Sequence, residues 1–422
     1  MEIQRELQVQ QRKGRRVMLF PLPLQGHLSP MLQLANILYN KGLSITIIHT
    51  NLNSPNPSNY PHFDFISFPN SFSEVEASTA DGVAFMTRLN VKLVEPFRDC
   101  LAKLLSNVEE ELFACLITDA MLYFTQAVAD SLKLPRIVLR TSNISSFLVF
   151  AAIPGVLREK GYYPTQDPQS EAPVPEFPPL RVKDLPQSIA QYPDKFYQFF
   201  TRLLEQEAVI TLQKEFGIPI FTIGPFHKYF PAFSSSLLSQ DQSCISWLDK
   251  QAPKSVISVS FGSVVTVNET EFLEIARGLA NSEVPFLWVF RPGSVNGAEW
   301  LETLPKGLLE MLGGRGHIVK WAPQQEVLAH PATGGFWTHN GWNSTLESIC
   351  EGVPMICHPT FVGLHLEMRL EREEIARAIR RIILEAEGLE MRERIKCLKE
   401  QVDISLNGGS AYKSLESLIT YI

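Results

Sequence analysis

Cysteine is scarce in this chain. Its 422 residues carry six, at positions 100, 115, 244, 350, 357 and 397, and none forms a Cys-x-x-Cys pair. That spacing offers neither a zinc site nor a disulfide framework, and it fits a reducing compartment. No apolar run reaches the roughly 18 residues that a membrane helix needs. Positive charge is not in excess: 38 Lys and Arg against 45 Asp and Glu give a net charge of −7, with no long basic stripe, which argues against a nucleic-acid partner. The pattern G-x-G-x-x-G is missing, and the glycines at 313, 314 and 316 precede a strand where a dinucleotide loop would follow one. No internal repeat or low-complexity tract occurs. Basic residues from Arg12 to Arg16 stand ahead of an apolar stretch and imitate a signal peptide. However, Pro21, Pro23 and the group Gln25, Gly26, His27 interrupt that stretch, and no small-residue cleavage site follows. The segment reads as a basic leader before the first strand of a cytoplasmic protein.

What is present is material for large cores. A 45% hydrophobic, 20% charged composition over this length implies a globular protein of two to three domains. Strand-like runs at 17–20, 44–49, 63–68, 115–119 and 136–140 alternate with helical spacing at 31–38, 83–105 and 124–132. Ser29 and Pro30 suit the N-cap and first position of the first helix. A Pro-rich segment, 164–186, and a polar stretch, 233–244, follow. The alternation then restarts with strands at 256–261 and 286–290 around a helix at 270–279, and helical material closes the chain from 371. Strands separated by helices of this length mean βαβ units and parallel sheets. The reading is therefore α/β, with two Rossmann-like domains facing across a cleft. An N-terminal domain spans 1–232, a linker 233–244 and a C-terminal domain 245–405, and the last helix, 406–422, returns to the N-terminal domain.

The segment from Trp321 to Glu347 carries the most chemistry. Phe336, Trp337 and Thr338 make a short apolar strand, Asn340 and Gly341 a turn, and Asn343, Ser344 or Thr345 can each cap a following helix. Such a helix start suits a phosphate. His339 stands at the strand's carboxyl end, where open α/β sheets bind ligands. Glu347 lies one turn into the helix, on the side of Asn343 and Ser344, placed to meet a ribose hydroxyl. Trp321 closes the strand-like run from Gly316 and offers an indole for stacking on a base.

Elsewhere, His27 follows the first strand, and an imidazole there can take a proton from an attacking hydroxyl or be an ordinary loop histidine. Asp119 ends the strand from Cys115. It can orient that imidazole, cap the following segment, or do both. Gly262 and Ser263 end the first strand of the second half. The glycine permits close backbone approach, and Ser263 either donates to a phosphate oxygen or closes a simple turn.

The run from Trp321 to Pro359 resembles, without a gap, the signature box of plant secondary-product glycosyltransferases, which move a sugar from a UDP-sugar to a small hydroxylated molecule. The resemblance implies the GT-B fold and a set of roles. Trp321 would stack on uracil, with Ala322 beside it. Gln324 and Glu347 would hold the ribose, and His339, Asn343 and Ser344 the diphosphate. Ser263 would face a phosphate, and Trp342 would line the sugar pocket. His27 would be the catalytic base and Asp119 its partner. No cofactor or metal is implied beyond the donor substrate, UDP-glucose by default, and no Asp-x-Asp pair sits where it could hold a metal at the diphosphate. A single displacement opposite UDP would invert the anomeric centre. The expected protein is a monomer acting on a phenolic, terpenoid or hydroxy-acid acceptor through a hydroxyl or carboxyl. Met121, Leu122, Tyr123 and Phe124, with Leu22 and Leu24, are candidates for an apolar acceptor pocket around the base. Segments at 157–162 and 181–186 resemble the branch that includes salicylate, hydroxy-acid and diterpenoid glucosyltransferases.

Two stretches that the resemblance calls for are missing. After Phe361 the box should close with an acidic residue and a glutamine that bind the sugar hydroxyls, followed by a helix. Between Val209 and Ile210 a strand-bearing segment should stand. Losing a core strand and a helix would uncover apolar neighbours at a substantial cost. A UDP-sugar-binding protein without turnover is the alternative expectation.

Overall fold

In β1 (Arg16–Phe20) the residues Val17, Met18, Leu19 and Phe20 are all fully buried, the mark of a strand covered on both faces of a parallel sheet. The computed structural model describes residues 15–69, 82–106, 113–143, 146, 149, 159–162, 170–185, 219–229, 236–295, 312, 314–358 and 371–422. Two units emerge from the contacts. Of the described residues, one unit holds those up to Phe221 together with Leu418–Ile422. The other holds those within Thr222–Phe361 and Glu367–Ser417.

The first unit runs β1, α1 (Gln25–Asn40), β2 (Ser44–Thr50), β3 (Asp64–Phe68), α2 (Gly82–Lys92), α3 (Val94–Leu105), β4 (Phe113–Asp119), α4 (Thr125–Ser131) and β5 (Arg136–Leu139). Its five strands are parallel in the order β3-β2-β1-β4-β5. The order reverses between β1 and β4, which pair Leu19 with Ile117 and Phe20 with Thr118. Phe20, Phe97 and Phe124 interlock beneath this point, Phe20 stacking on Phe97 at 4.4 Å. Arg16, expected in a basic leader, opens β1 and pairs with Asp64 at 3.1 Å.

The second unit runs α5 (Ser243–Leu248), β6 (Val256–Ser260), α6 (Glu269–Ser282), β7 (Phe286–Val289), β8 (Gly316–Val319), α7 (Gln324–Ala329), β9 (Thr333–Thr338), α8 (Trp342–Glu351), β10 (Met355–Cys357), α9 (Arg372–Ile383), α10 (Ala386–Leu406) and the start of α11 (Ser410–Tyr421), whose residues from Leu418 belong to the first unit. Its sheet is parallel too, in the order β10-β9-β6-β7-β8, reversing between β6 and β9. Side chains alternate across β7. Phe286 and Trp288 join the core under α6 and α9, while Leu287 joins the opposite core with Leu248, Val319 and Val327. No described helix is long and apolar enough to cross a membrane.

Two helix starts differ from the sequence reading. α1 begins at Gln25, because the Leu24 carbonyl accepts from the amides of both His27 and Leu28, and Pro30 lies inside the helix instead of opening it. His27 therefore sits in the first turn of a helix. α8 begins at Trp342 with Gly341 as its N-cap and no side-chain cap, so Asn343, Ser344 and Thr345 all lie inside it. The sequence departures after Val209 and after Phe361 fall outside the described residues.

α6 and α9 are locked at one end by Arg372, whose Nε and backbone amide donate to Glu274 Oε2 at 2.9 and 3.0 Å. They meet so closely at Gly278 that a methyl there would lie 2.5 Å from Ile375 Cγ2 and 3.2 Å from the Arg372 carbonyl oxygen. In an exposed helix interior, glycine to alanine stabilises by up to about 1 kcal/mol. Here Gly278→Ala is expected to reverse that sign and destabilise by ~1–3 kcal/mol through overpacking, read as a lowered urea midpoint.

Candidate active site

Parallel sheets send every carboxyl end to one edge, and a ligand crevice forms where the strand order reverses. In the first unit that edge brings His27, after β1, to Asp119, the last residue of β4. His27 Nδ1 stands 2.7 Å from Asp119 Oδ2, with the carboxylate 1% exposed and the imidazole 25% exposed. A carboxylate only accepts, so Nδ1 carries the proton and donates it, leaving Nε2 as the acceptor. Asp119 Oδ1 accepts from the Met121 amide at 2.9 Å, so the residue both orients the histidine and ties the following turn.

Two residues that the sequence reading missed complete this corner. Thr141 Oγ1 lies 3.0 Å from the same Nδ1. It stands just past β5, the neighbour of β4, so only the strand order brings it there. Buried Asn90, on α2, donates to the Met121 carbonyl and accepts from the Phe124 amide, which suspends the turn after Asp119 from a helix. The acceptor-pocket candidates divide. Leu22 and Leu122 are wholly buried and Phe124 nearly so, as core residues. Leu24, Met121 and Tyr123 keep partial exposure.

In the second unit Gly262 and Ser263 follow β6, and His339 follows β9, its neighbour. The reversal point thus brings Gly262, Ser263 and His339 to one edge, while Trp321, Ala322 and Gln324 follow β8 at the sheet's far side. Gln324, Ser344 and Glu347 form one bonded group. Gln324 Nε2 donates to Ser344 Oγ at 3.0 Å and to Glu347 Oε2 at 2.6 Å. Gln325, also missed, donates to Glu347 Oε1 at 2.9 Å. Burial raises the Glu347 carboxyl above its ordinary range, opposed by these amide bonds from Gln325 and Gln324. Trp321 lies two residues past β8. Its Nε1 donates to Ser236 Oγ at 2.9 Å, and its carbonyl accepts from the Asp241 amide at 2.9 Å, so the polar stretch before α5 braces the indole. Ala322 is buried beside it.

Trp342 and Asn343 are partly exposed in the first turn of α8, and Ser344 is buried there. The first intrahelical bond runs from the Thr345 amide to the Gly341 carbonyl. No side chain caps this helix, so its amino end keeps the polarity that favours an anion. His339 is a neutral group in this setting. Burial pushes its pKa down to about 4, with a backbone bond to Ser260 opposing and His358 adding to the drop. Its Nδ1 is buried and has no hydrogen-bond partner among the described residues.

Comparisons with known proteins agree with this geometry. The family model for UDP-glucoronosyl and UDP-glucosyl transferase matches residues 236–378. UDP-glycosyltransferase 76B1 of Arabidopsis thaliana is 52% identical, over 96% of this chain and 97% of its own length. Flavonol 3-O-glucosyltransferase UGT76E12 of the same plant is 39% identical, over 97% of each. Among solved structures, Os79 from O. sativa in complex with UDP superposes with a TM-score of 0.78 at 25% identity, covering 96% of this chain and 100% of that one. The match to the 76B1 protein runs over 439 positions, longer than the 422-residue chain itself. Since 96% of the chain is about 405 residues, about 34 positions of that relative face none here. The relative thus carries residues that this chain lacks within the matched span. Two parallel-sheet units of this topology, with that structural likeness, are the GT-B fold, and the chain belongs to the plant UDP-glycosyltransferase family, whose members move a glycosyl group from a UDP-sugar to a small molecule.

Proposed function

We propose that the protein transfers glucose from UDP-glucose, with inversion, to a hydroxyl or carboxyl of a small plant metabolite of the phenolic, terpenoid or hydroxy-acid class. The observation that carries this reading is the His27–Asp119 pair. In it, Nε2 of His27 removes the acceptor proton as the oxygen attacks the anomeric carbon, and buried Asp119 stabilises the imidazolium that forms. In the second unit Trp321 carries the uracil, with Ala322 beside it, and Gln324 and Glu347 bind the ribose. Negative charge grows on the β-phosphate as its bond to the sugar breaks. The amino end of α8, with Asn343 and Ser344, meets that charge, as do His339 and Ser263. Because His339 is neutral, it contributes as a hydrogen-bonding group without a full positive charge. Trp342 faces the sugar. Glucose is supported by the printed name of the flavonol glucosyltransferase relative. The reaction runs in the cytoplasm, in a monomer, without a metal ion or cofactor.

The test is a transfer assay with UDP-glucose and a phenolic panel. His27→Ala is expected to abolish detectable product. Asp119→Asn should lower kcat by about 10³-fold while leaving UDP affinity within twofold. Retained transfer by His27→Ala overturns the assignment. UDP binding by the unmodified protein with no product from any acceptor would instead favour a nucleotide-sugar-binding role. Added chelator should leave the rate unchanged.

The donor-site histidine also predicts an acid sensitivity. His339 titrates near 6.5 when unfolded and near 4 when folded, so between those values the unfolded chain binds a proton that the native one refuses. Its share of stability is complete above pH 6.5 and is lost as the pH falls toward 4. His227, pushed to about 4 chiefly by burial and then by Lys228, adds to the same window. The fall in unfolding free energy from pH 7 to pH 5 should be smaller in His339→Gln than in the parent by ~1–2 kcal/mol, from urea titrations at both pH values.

A further inference from the structure

Gly341 has no conformational reason to be glycine. Its φ of −55° and ψ of 138° are open to every residue, and an N-cap position takes Ser, Asp or Asn at least as readily as glycine. What excludes a side chain there is His339. A methyl built on Gly341 would fall on Nε2 of that imidazole, with Cε1 at 3.0 Å and Cδ2 at 3.4 Å. A second backbone approaches the same ring. Gly262, two residues past β6, would place a methyl 2.6 Å from Cε1, 2.8 Å from Nε2 and 3.2 Å from Nδ1. Parallel pairing of Ser260 with Thr338 brings these strand ends together. Of the two glycines, Gly262 has a φ of +75°, so its identity follows from its own backbone as well as from the ring.

We propose that Gly262 and Gly341 form a backbone clamp that fixes the imidazole of His339, and that Gly341 is thereby a positioning residue for the donor diphosphate. The second half of this statement rests on the reading that His339 faces that diphosphate. The two glycine backbones approach the ring too closely to admit a side chain at either position, and Nδ1 is shut away from solvent. Gly341 is also the N-cap of α8. One residue without a side chain therefore sets the ring and the helix start against each other at van der Waals distance. A β-carbon at that position would push them apart, and two groups proposed for one phosphate would no longer converge on it.

Gly341 gives the cleaner test, because alanine meets no backbone strain there. The dissociation constants of UDP and of uridine, which lacks the diphosphate, are measured by calorimetry for the parent, Gly341→Ala, His339→Ala and the double variant. Melting temperatures are recorded for all four. His339→Ala and Gly341→Ala are each expected to weaken UDP about tenfold, the scale of one hydrogen bond to a charged group, with uridine unchanged within twofold. In the His339→Ala background Gly341→Ala should add less than twofold, because the ring it displaces is gone. Gly341→Ala should likewise lower the melting temperature only where His339 is present. The clamp is overturned if Gly341→Ala weakens UDP and uridine alike, or weakens UDP equally in both backgrounds. If His339→Ala leaves UDP affinity intact, the diphosphate reading of His339 fails, and with it the positioning role. The clamp itself then stands or falls on the melting temperatures. If Gly341→Ala alone does not fold, folding of the double variant supports the clamp and its failure to fold overturns it.

Discussion

In each unit, two strands far apart in sequence are forced side by side by parallel pairing: β1 with β4 and β6 with β9. Everything that reads as chemistry hangs on those two pairings. A parallel register fixes which residue ends level with which, so Phe20 opposite Thr118 leaves His27 and Asp119 emerging on the same edge. Ser260 opposite Thr338 does the same for Gly262 and His339. A slip of one residue would exchange the side chains between the two faces of the sheet, and between β1 and β4 it would separate partners that now lie 2.7 Å apart. The buried residues 17–20 of β1 and Val256–Ser260 of β6 make such a slip costly, because each already has its place inside the sheet's covering layers.

Much of this was legible before any coordinates, and the reasons are physical. Strands of continuous Val, Ile, Leu and Phe separated by amphipathic stretches specify βαβ units, and β1, β2, β4, β6 and β7 lie within a residue or two of where hydrophobic patterning puts them. Most of the donor-side residues occupy one unbroken segment, so reading them required no knowledge of tertiary contacts. The failures are also particular. α1 was expected to start at Ser29 because Ser-Pro is a strong local signal. The Leu24 carbonyl closes a turn earlier, placing the histidine on the helix instead of before it. At α8, side-chain caps were expected where a glycine does the capping. α5 lies partly within a stretch whose polarity suggested only linker. Thr141, Asn90 and Gln325 went unnoticed because their roles depend on which strands and helices become neighbours, and composition near each of them says nothing of that.

Burial sets the protonation of the donor side more than charge pairing does. His339 is driven neutral and Glu347 toward its protonated form, both chiefly by removal from water. Neither has an oppositely charged partner among the described residues, and both rely on neutral amides or backbone for support. Such an arrangement puts little fixed charge on these two side chains. The amino end of α8 adds positive potential that is aligned by the backbone and insensitive to pH. On the other unit the balance differs, since His27 is held by a buried carboxylate whose second oxygen is occupied by the Met121 amide.

The two glutamines on Glu347 limit what a further hydrogen-bond donor can gain there. With Gln324 on one oxygen and Gln325 on the other, each oxygen of the carboxyl group already accepts an amide bond from the protein. A ligand hydroxyl that binds there must share or displace one of those amide bonds, so it gains less than it would from a bare acceptor.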